Sequence, residues 1–191
     1  MQKNTIDSFL KTPCLKGAKV SPDLKWIVWV WANVGPSADV YIAPLDRSDS
    51  PRKLTDFKQD TSVISWTEDS RFVVVNHDYD GDERFRLYKV DVHSGETFPL
   101  TDEHPSCFIR GGQIAADGKY LIYGANYDFE TKQEIEPTIV YRQDLETGER
   151  TKLAQPEKPS FLWPRLNKQG SHIIYNKNDR NPQGEQIWMV D

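Results

Sequence analysis

Apolar residues in this chain fall in short dense runs separated by polar turns. "WIVWVW" at 26–31 and "FVVVN" at 72–76 are β-branched and aromatic, with little polar interruption. Such runs predict strands buried on both faces, as in the middle of stacked sheets. No sustained i, i+3, i+4 apolar period appears, so almost no helix is expected.

The runs repeat on one plan. "VSPDLKWIVWV", "ISWTEDSRFVVV" and "GQIAADGKYLIYG" each hold a short strand, an acidic or Gly-containing turn, a basic residue, an aromatic and an apolar run. "PRLNKQGSHIIYN" is a degenerate fourth copy. The anchors Asp23, Asp69, Asp117 and Gln169 lie 46 to 52 residues apart, the spacing of propeller blades. The turns "PDLK", "EDSR", "ADGK" and "KQGS" carry residues suited to tight hairpins. Trp26, Phe72 and Tyr120 open the apolar runs, where bulky rings would fill the wedge between blades. A second half also recurs: "DVYIAPLDRSDSPRKLTD", "FRLYKVDVHSGETFPLTDE" and "TIVYRQDLETGERTKLAQ" each join an apolar strand through a polar turn to a short strand ending in Lys-Leu-Thr or a variant. "IWMVD" begins a fourth such half.

The predicted fold is all-β: a partial β-propeller of about four blades of four antiparallel strands, the last incomplete. Residues 1–17 form a lead-in, 18–56 blade 1, 57–103 blade 2, 104–155 blade 3 and 156–191 an incomplete blade 4. "PEKPSFLWP" is a connector in which Pro159 and Pro164 leave "SFLW" an edge or innermost strand at best.

Composition then narrows the function. Among 191 residues the net charge is −5, and no Lys/Arg cluster exceeds two, which argues against a nucleic-acid partner. No apolar run approaches a membrane span, and the N-terminus lacks the apolar core of a secretory signal. Cys14 and Cys107 form neither a disulfide framework nor a metal spacing, and fit a cytoplasmic chain as small buried hydrophobes. Trp26, Trp29, Trp31, Trp66, Trp163 and Trp188 fall in expected strands and read as filling between blades in preference to a stacking platform. "NKNDRNPQGEQ", 176–186, reads as a solvated hairpin loop.

The chemically suggestive stretch is "HDYDGDERFRLY", His77 to Tyr88, with Asp78, Asp80, Asp82 and Glu83 close together. Gly81 comes too early for an EF-hand calcium loop, and a strand follows where the loop should continue. Paired catalytic carboxylates would need a cleft that a hairpin does not supply. The expected structure is a solvated turn between the second and third strands of blade 2, with Gly81 at positive φ. No G-x-S-x-G occurs; "GPSAD" around Ser37 lacks the closing Gly and the strand-to-helix elbow. His77, His93, His104 and His172 are scattered across blades. The chain therefore offers no catalytic residues, no metal site and no cofactor.

"SPDLKWIVWV", "DVYIAPLD" and "RKLTD" resemble the SPDG-type blades of TolB-like propellers and of the prolyl oligopeptidase family. "DYDGDERFRLYKVDVHSGETFPLTD" is similar to the blade of acylaminoacyl- and dipeptidyl-peptidase-like members. The resemblance implies a propeller followed by an α/β-hydrolase domain that is absent here. It implies as partners that hydrolase domain, on the same or a neighbouring polypeptide, and peptide substrates. It also implies that Glu83 faces the hydrolase domain and pairs there with an arginine near the substrate. Three accounts stay open: the propeller portion of a serine peptidase, a self-standing TolB- or WD40-like binding module, and a four-bladed ring in which "TIDSFLKTP" supplies the missing outer strand of blade 4. The first is favoured, because "IWMVD" leaves a strand edge open.

Overall fold

The computed structural model describes residues 6, 8, 11–102, 107–158, 160, 162–167 and 169–190. Its elements are fifteen strands in four antiparallel sheets, taken up in chain order. Blade 1 is β1 (Cys14–Val20), β2 (Trp26–Ala32), β3 (Asp39–Pro44) and β4 (Arg52–Lys53). Blade 2 is β5 (Thr61–Trp66), β6 (Phe72–His77), β7 (Arg86–Asp91) and β8 (Thr97–Pro99). Blade 3 is β9 (Ile109–Ile114), β10 (Tyr120–Asp128), β11 (Gln133–Asp144) and β12 (Arg150–Ala154). Blade 4 has three strands, β13 (Arg165–Leu166), β14 (Ile173–Lys177) and β15 (Gln186–Val190). The expected all-β propeller of about four blades, the last short of a strand, is what forms. β1 starts within the stretch read as a lead-in. Of "TIDSFLKTP", Thr5, Asp7, Phe9 and Leu10 lie outside the described residues, as do His104 and Pro159; its described residues include the helical Ile6 and Ser8 and supply no strand to blade 4.

The repeat has a local cause. The third residue of each first turn is left-handed: Leu24 at φ 60°, Ser70 at 60°, Gly118 at 73° and Gly170 at 76°. Glycine adopts this readily; leucine and serine do so at a cost. Side-chain hydrogen bonds hold those two turns. Asp23 Oδ1 accepts from Ser21 Oγ at 2.6 Å and from the Lys25 N–H at 3.1 Å. Asp69 Oδ1 accepts from Thr67 Oγ1 at 2.6 Å and from the Arg71 N–H at 3.0 Å. The Lys-Leu-Thr ending has its own role: Thr55 Oγ1 accepts from the Val40 N–H, and Thr101 Oγ1 from the Leu87 N–H, each at 3.0 Å. These hydroxyls satisfy buried strand donors.

The innermost strands of blades 1 to 3 all change register against their neighbours, between Lys16 and Lys19, Val63 and Ser65, and Gly111 and Gln113. These are β-bulges, which bend the strand nearest the axis. The sequence did not show them, because Ile64 holds in blade 2 the place that Gly112 holds in blade 3.

Three core clusters alternate with the blades. Val28, Val30, Val40 and Ile42 of blade 1 meet Val63, Val73, Val75 and Val90 of blade 2. Val74 and Leu87 meet Ile109, Ile114, Leu121 and Tyr123. Ile122 and Val140 meet Leu162, Ile173 and Tyr175. Both faces of β6 and β10 are thus buried, as their unbroken apolarity required. Polar bonds cross the same junctions: Trp66 Nε1 donates to the Lys19 carbonyl at 3.2 Å, Ser65 Oγ to the Gly112 carbonyl at 3.0 Å, and the Leu166 N–H to Gln113 Oε1 at 3.0 Å.

Trp163 departs from expectation. It lies outside any strand and is 44% exposed. Pro164 restricts its backbone, its N–H is taken by Asn176 Oδ1 at 3.3 Å, and the strand starts only at Arg165. Trp26 and Trp66 do pack against the first core cluster, while Trp29 and Trp31 gather with Tyr41 on the opposite face of blade 1. Blade 4 leaves Ile174, Ile187 and Met189 exposed on the side turned from blade 3. No helix among the described residues is long and apolar enough to cross a membrane.

Candidate functional site

The connection between β6 and β7 carries the acidic stretch. Tyr79, Asp80, Gly81, Asp82 and Glu83 are exposed, and Gly81 has φ 75°. Three of the four acids are occupied in shaping this turn. Asp78 Oδ2 accepts from the Glu83 N–H at 3.3 Å. Asp80 Oδ1 receives Gln59 Nε2 at 3.4 Å, while Gln59 Oε1 accepts from the Asp80 N–H at 3.2 Å. Asp82 Oδ1 accepts from the N–H groups of Tyr79 at 3.1 Å and Arg84 at 3.0 Å. Burial pushes Asp82 upward, but those N–H groups and the charges of Arg86 and Arg84 outweigh it and hold the carboxyl below its usual range.

Glu83 is different. Its backbone is left-handed, at φ 57°, and its carboxylate makes no hydrogen bond or ion pair among the described residues. A non-glycine residue in that region stores strain, and Glu83 is exposed there. Glu83 stands at the end of the propeller that bears the connections between second and third strands and between successive blades.

The hairpin leans on blade 3 and on the connection that enters blade 2. His77 is buried, its ring stacked on Tyr88 at 5.0 Å and against Phe57 at 4.5 Å. Arg84 Nη1 lies 3.5 Å from Glu134 Oε2 of blade 3, and its guanidinium sits 5.0 Å from the Phe108 ring. Arg110 lies 5.5 Å from the same ring and 5.6 Å from Trp163. The sequence missed this rim of stacked guanidinium and aromatic groups, because its members come from three blades.

The other candidates have structural occupations. Ser37 is buried, and its Oγ donates to Asp39 Oδ2 at 3.1 Å, a carboxylate that Lys53 also binds at 2.9 Å. Among the described residues no histidine is its partner. His93 packs edge-on to Trp26, and His172 contacts Ser171 Oγ at 2.7 Å. Burial pushes the Cys107 thiol up to about 12, which keeps it protonated and unreactive. Among the described residues no group of three or more His, Cys, Asp or Glu is placed to hold a metal ion.

Four-stranded blades with Asp-anchored turns, stacked in chain order, define a β-propeller segment of the type seen in TolB and in prolyl-oligopeptidase-like peptidases. Among known proteins, the chain is 28% identical over 151 residues to dipeptidyl aminopeptidase BIII of Pseudoxanthomonas mexicana. The match takes in 77% of this chain but 21% of the relative, so the chain spans about one fifth of that protein. In fold it is similar to a putative TolB from Agrobacterium tumefaciens, with a TM-score of 0.72 and 16% identity over 93% of this chain and 61% of the other. It is also similar to a prolyl endopeptidase, with a TM-score of 0.66 and 15% identity over 94% of this chain and 27% of the other. No family model matches the chain. The resemblance read from the blade motifs is thus met in both sequence and fold.

Proposed function

We propose that the chain is the propeller portion of a prolyl-oligopeptidase-like serine peptidase, gating peptide access and packing against an α/β-hydrolase domain of the same or a neighbouring polypeptide. The observation that carries this is the dipeptidyl aminopeptidase relative, which matches 77% of the chain. Glu83 is proposed as the interface residue: an exposed, unpartnered carboxylate suits a bidentate pair with an arginine of that domain. A cytoplasmic location belongs to the same proposal, on the ground of two free cysteines.

The test is to express the reading frame together with the DNA that follows codon 191, and to assay it beside the 191-residue chain on dipeptidyl and acylaminoacyl chromogenic substrates. Turnover is expected in the longer product only, and Glu83→Gln is expected to lower its kcat/KM. Absence of a G-x-S-x-G hydrolase in that or an adjacent frame refutes the proposal. So does turnover by the short chain that Ser37→Ala abolishes.

A self-standing TolB- or WD40-like binding module is the second reading, favoured by the overlay on 61% of a putative TolB. A single protein recovered in stoichiometric amount, with no hydrolase encoded nearby, would decide for it.

A further inference from the structure

Buried charges in this chain are usually answered. Asp39 is held by Lys53 and Ser37, Asp91 by Arg71 at 3.0 Å, and Asp179 by Lys177 at 3.5 Å. Arg86, the first residue of β7, is not. It is 6% exposed, its Nε is buried with no acceptor, and among the described residues its guanidinium makes no hydrogen bond or ion pair. It pairs in register with buried His77, and the exposed Tyr79 ring lies 5.3 Å from its Cζ. Asp82 is the nearby acid whose charge it feels, but Asp82 Oδ1 is taken by two backbone N–H groups and forms no bridge to Arg86. The buried Nε–H is costly, since its desolvation is incurred without a compensating bond, while the two terminal nitrogens are not among the sealed atoms and keep contact with solvent.

We propose that Arg86 is an anion-binding residue whose ligand is a carboxylate, received beneath Tyr79 at the base of the β6–β7 hairpin. The guanidinium presents its donors in a planar fork that matches the two oxygens of a carboxylate. The charge nearby selects against a dianion: Asp80, Asp82 and Glu83 share the turn, and a phosphate would meet more repulsion than a planar monoanion. The proposal rests on the peptidase reading only for the source of the carboxylate, which that reading makes a peptide C-terminus. The site itself rests on Arg86.

The test uses the whole chain and follows the Arg86 Nε–H resonance by NMR, assigned by its loss in Arg86→Met. Sodium acetate is titrated against sodium chloride of equal ionic strength, then trialanine against trialanine amide. Acetate is expected to shift the resonance saturably, with millimolar affinity. Trialanine should do so at lower concentration than acetate, and the amide should not. Arg86→Met should remove the response without lowering the unfolding midpoint, because it deletes an unpaired buried charge. A resonance that acetate leaves unmoved overturns the site. So does a lowered midpoint in both Arg86→Met and Arg86→Lys, which would show the guanidinium to be structurally paired. Acetate binding without preference for trialanine over its amide upholds the carboxylate site and overturns the peptide as its source. If Arg86→Met fails to fold, the acetate response of the wild-type resonance, assigned through Arg86→Lys, decides.

Discussion

Replacing Thr101 by valine removes one oxygen and leaves the shape of the side chain. In the native chain that oxygen accepts the Leu87 N–H at 3.0 Å, and Leu87 is fully buried between blades 2 and 3. Valine fills the same volume and offers no acceptor, so a buried donor is left without a partner. Such a loss costs about 1–3 kcal/mol. Thr101→Ser is the matched control: it keeps the oxygen and removes a methyl, at about 0.8 kcal/mol. For a chain of this length each kcal/mol moves the melting midpoint by about 2–4 °C. Urea and thermal unfolding followed by circular dichroism should therefore rank wild type above Thr101→Ser and Thr101→Ser above Thr101→Val. Blade 3 shows how the donor problem is solved otherwise. Ala154 stands where the threonine would, and β12 runs on so that Val140 pairs with Ala154 through the backbone. If Thr101→Val unfolds with the wild type, or the serine variant is the weaker, the hydroxyl is not what the repeat retains, and the methyl packing is.

Gly124→Ala should destabilise the junction of blades 3 and 4, since a Cβ there would sit 2.7 Å from the Leu162 carbonyl oxygen; unchanged urea unfolding would contradict that close approach. Burial pushes the Asp91 carboxyl upward, but the N–H groups of Ser94 and His93 and the charge of Arg71 outweigh it and hold it at about 2. The folded value lies below the unfolded one, so its stabilisation is present above the usual carboxylate value and is lost as pH falls toward 2. The stability gap between wild type and Asp91→Asn should accordingly close over that range, and a gap independent of pH would refute the assignment. Ile187 is 80% exposed on the edge strand β15, so Ile187→Lys should reduce self-association of the chain by light scattering. An unaltered mass distribution would show that this edge is not adhesive.

The blades were legible because their signals are local. A turn needs its Asp, its Gly or its small polar residue at a fixed place, and a two-faced strand needs an unbroken apolar run. Leu24 and Ser70 show the limit of that reading. Neither residue advertises a left-handed backbone; the bonds of Asp23 and Asp69 impose it. The bulge at Ile64 is silent for a similar reason, since its cause is curvature about the axis. Of the acidic stretch, the sequence placed the turn and the resemblance singled out Glu83. That its carboxylate is the unoccupied one depends on Gln59 reaching Asp80 from the preceding connection. Arg86 was hidden altogether: "ERFRLY" reads as a charged hairpin shoulder, and nothing in it marks a residue enclosed beside His77 and Tyr79.

The junctions are arranged strictly in series. Each core cluster and each crossing hydrogen bond joins one blade to the next, and among the described residues no hydrogen bond, ion pair or core cluster returns from blade 4 to blade 1. Small rotations at the three junctions therefore accumulate along the chain instead of cancelling. A wedge driven between two neighbouring blades would therefore be felt as a displacement of every blade beyond it.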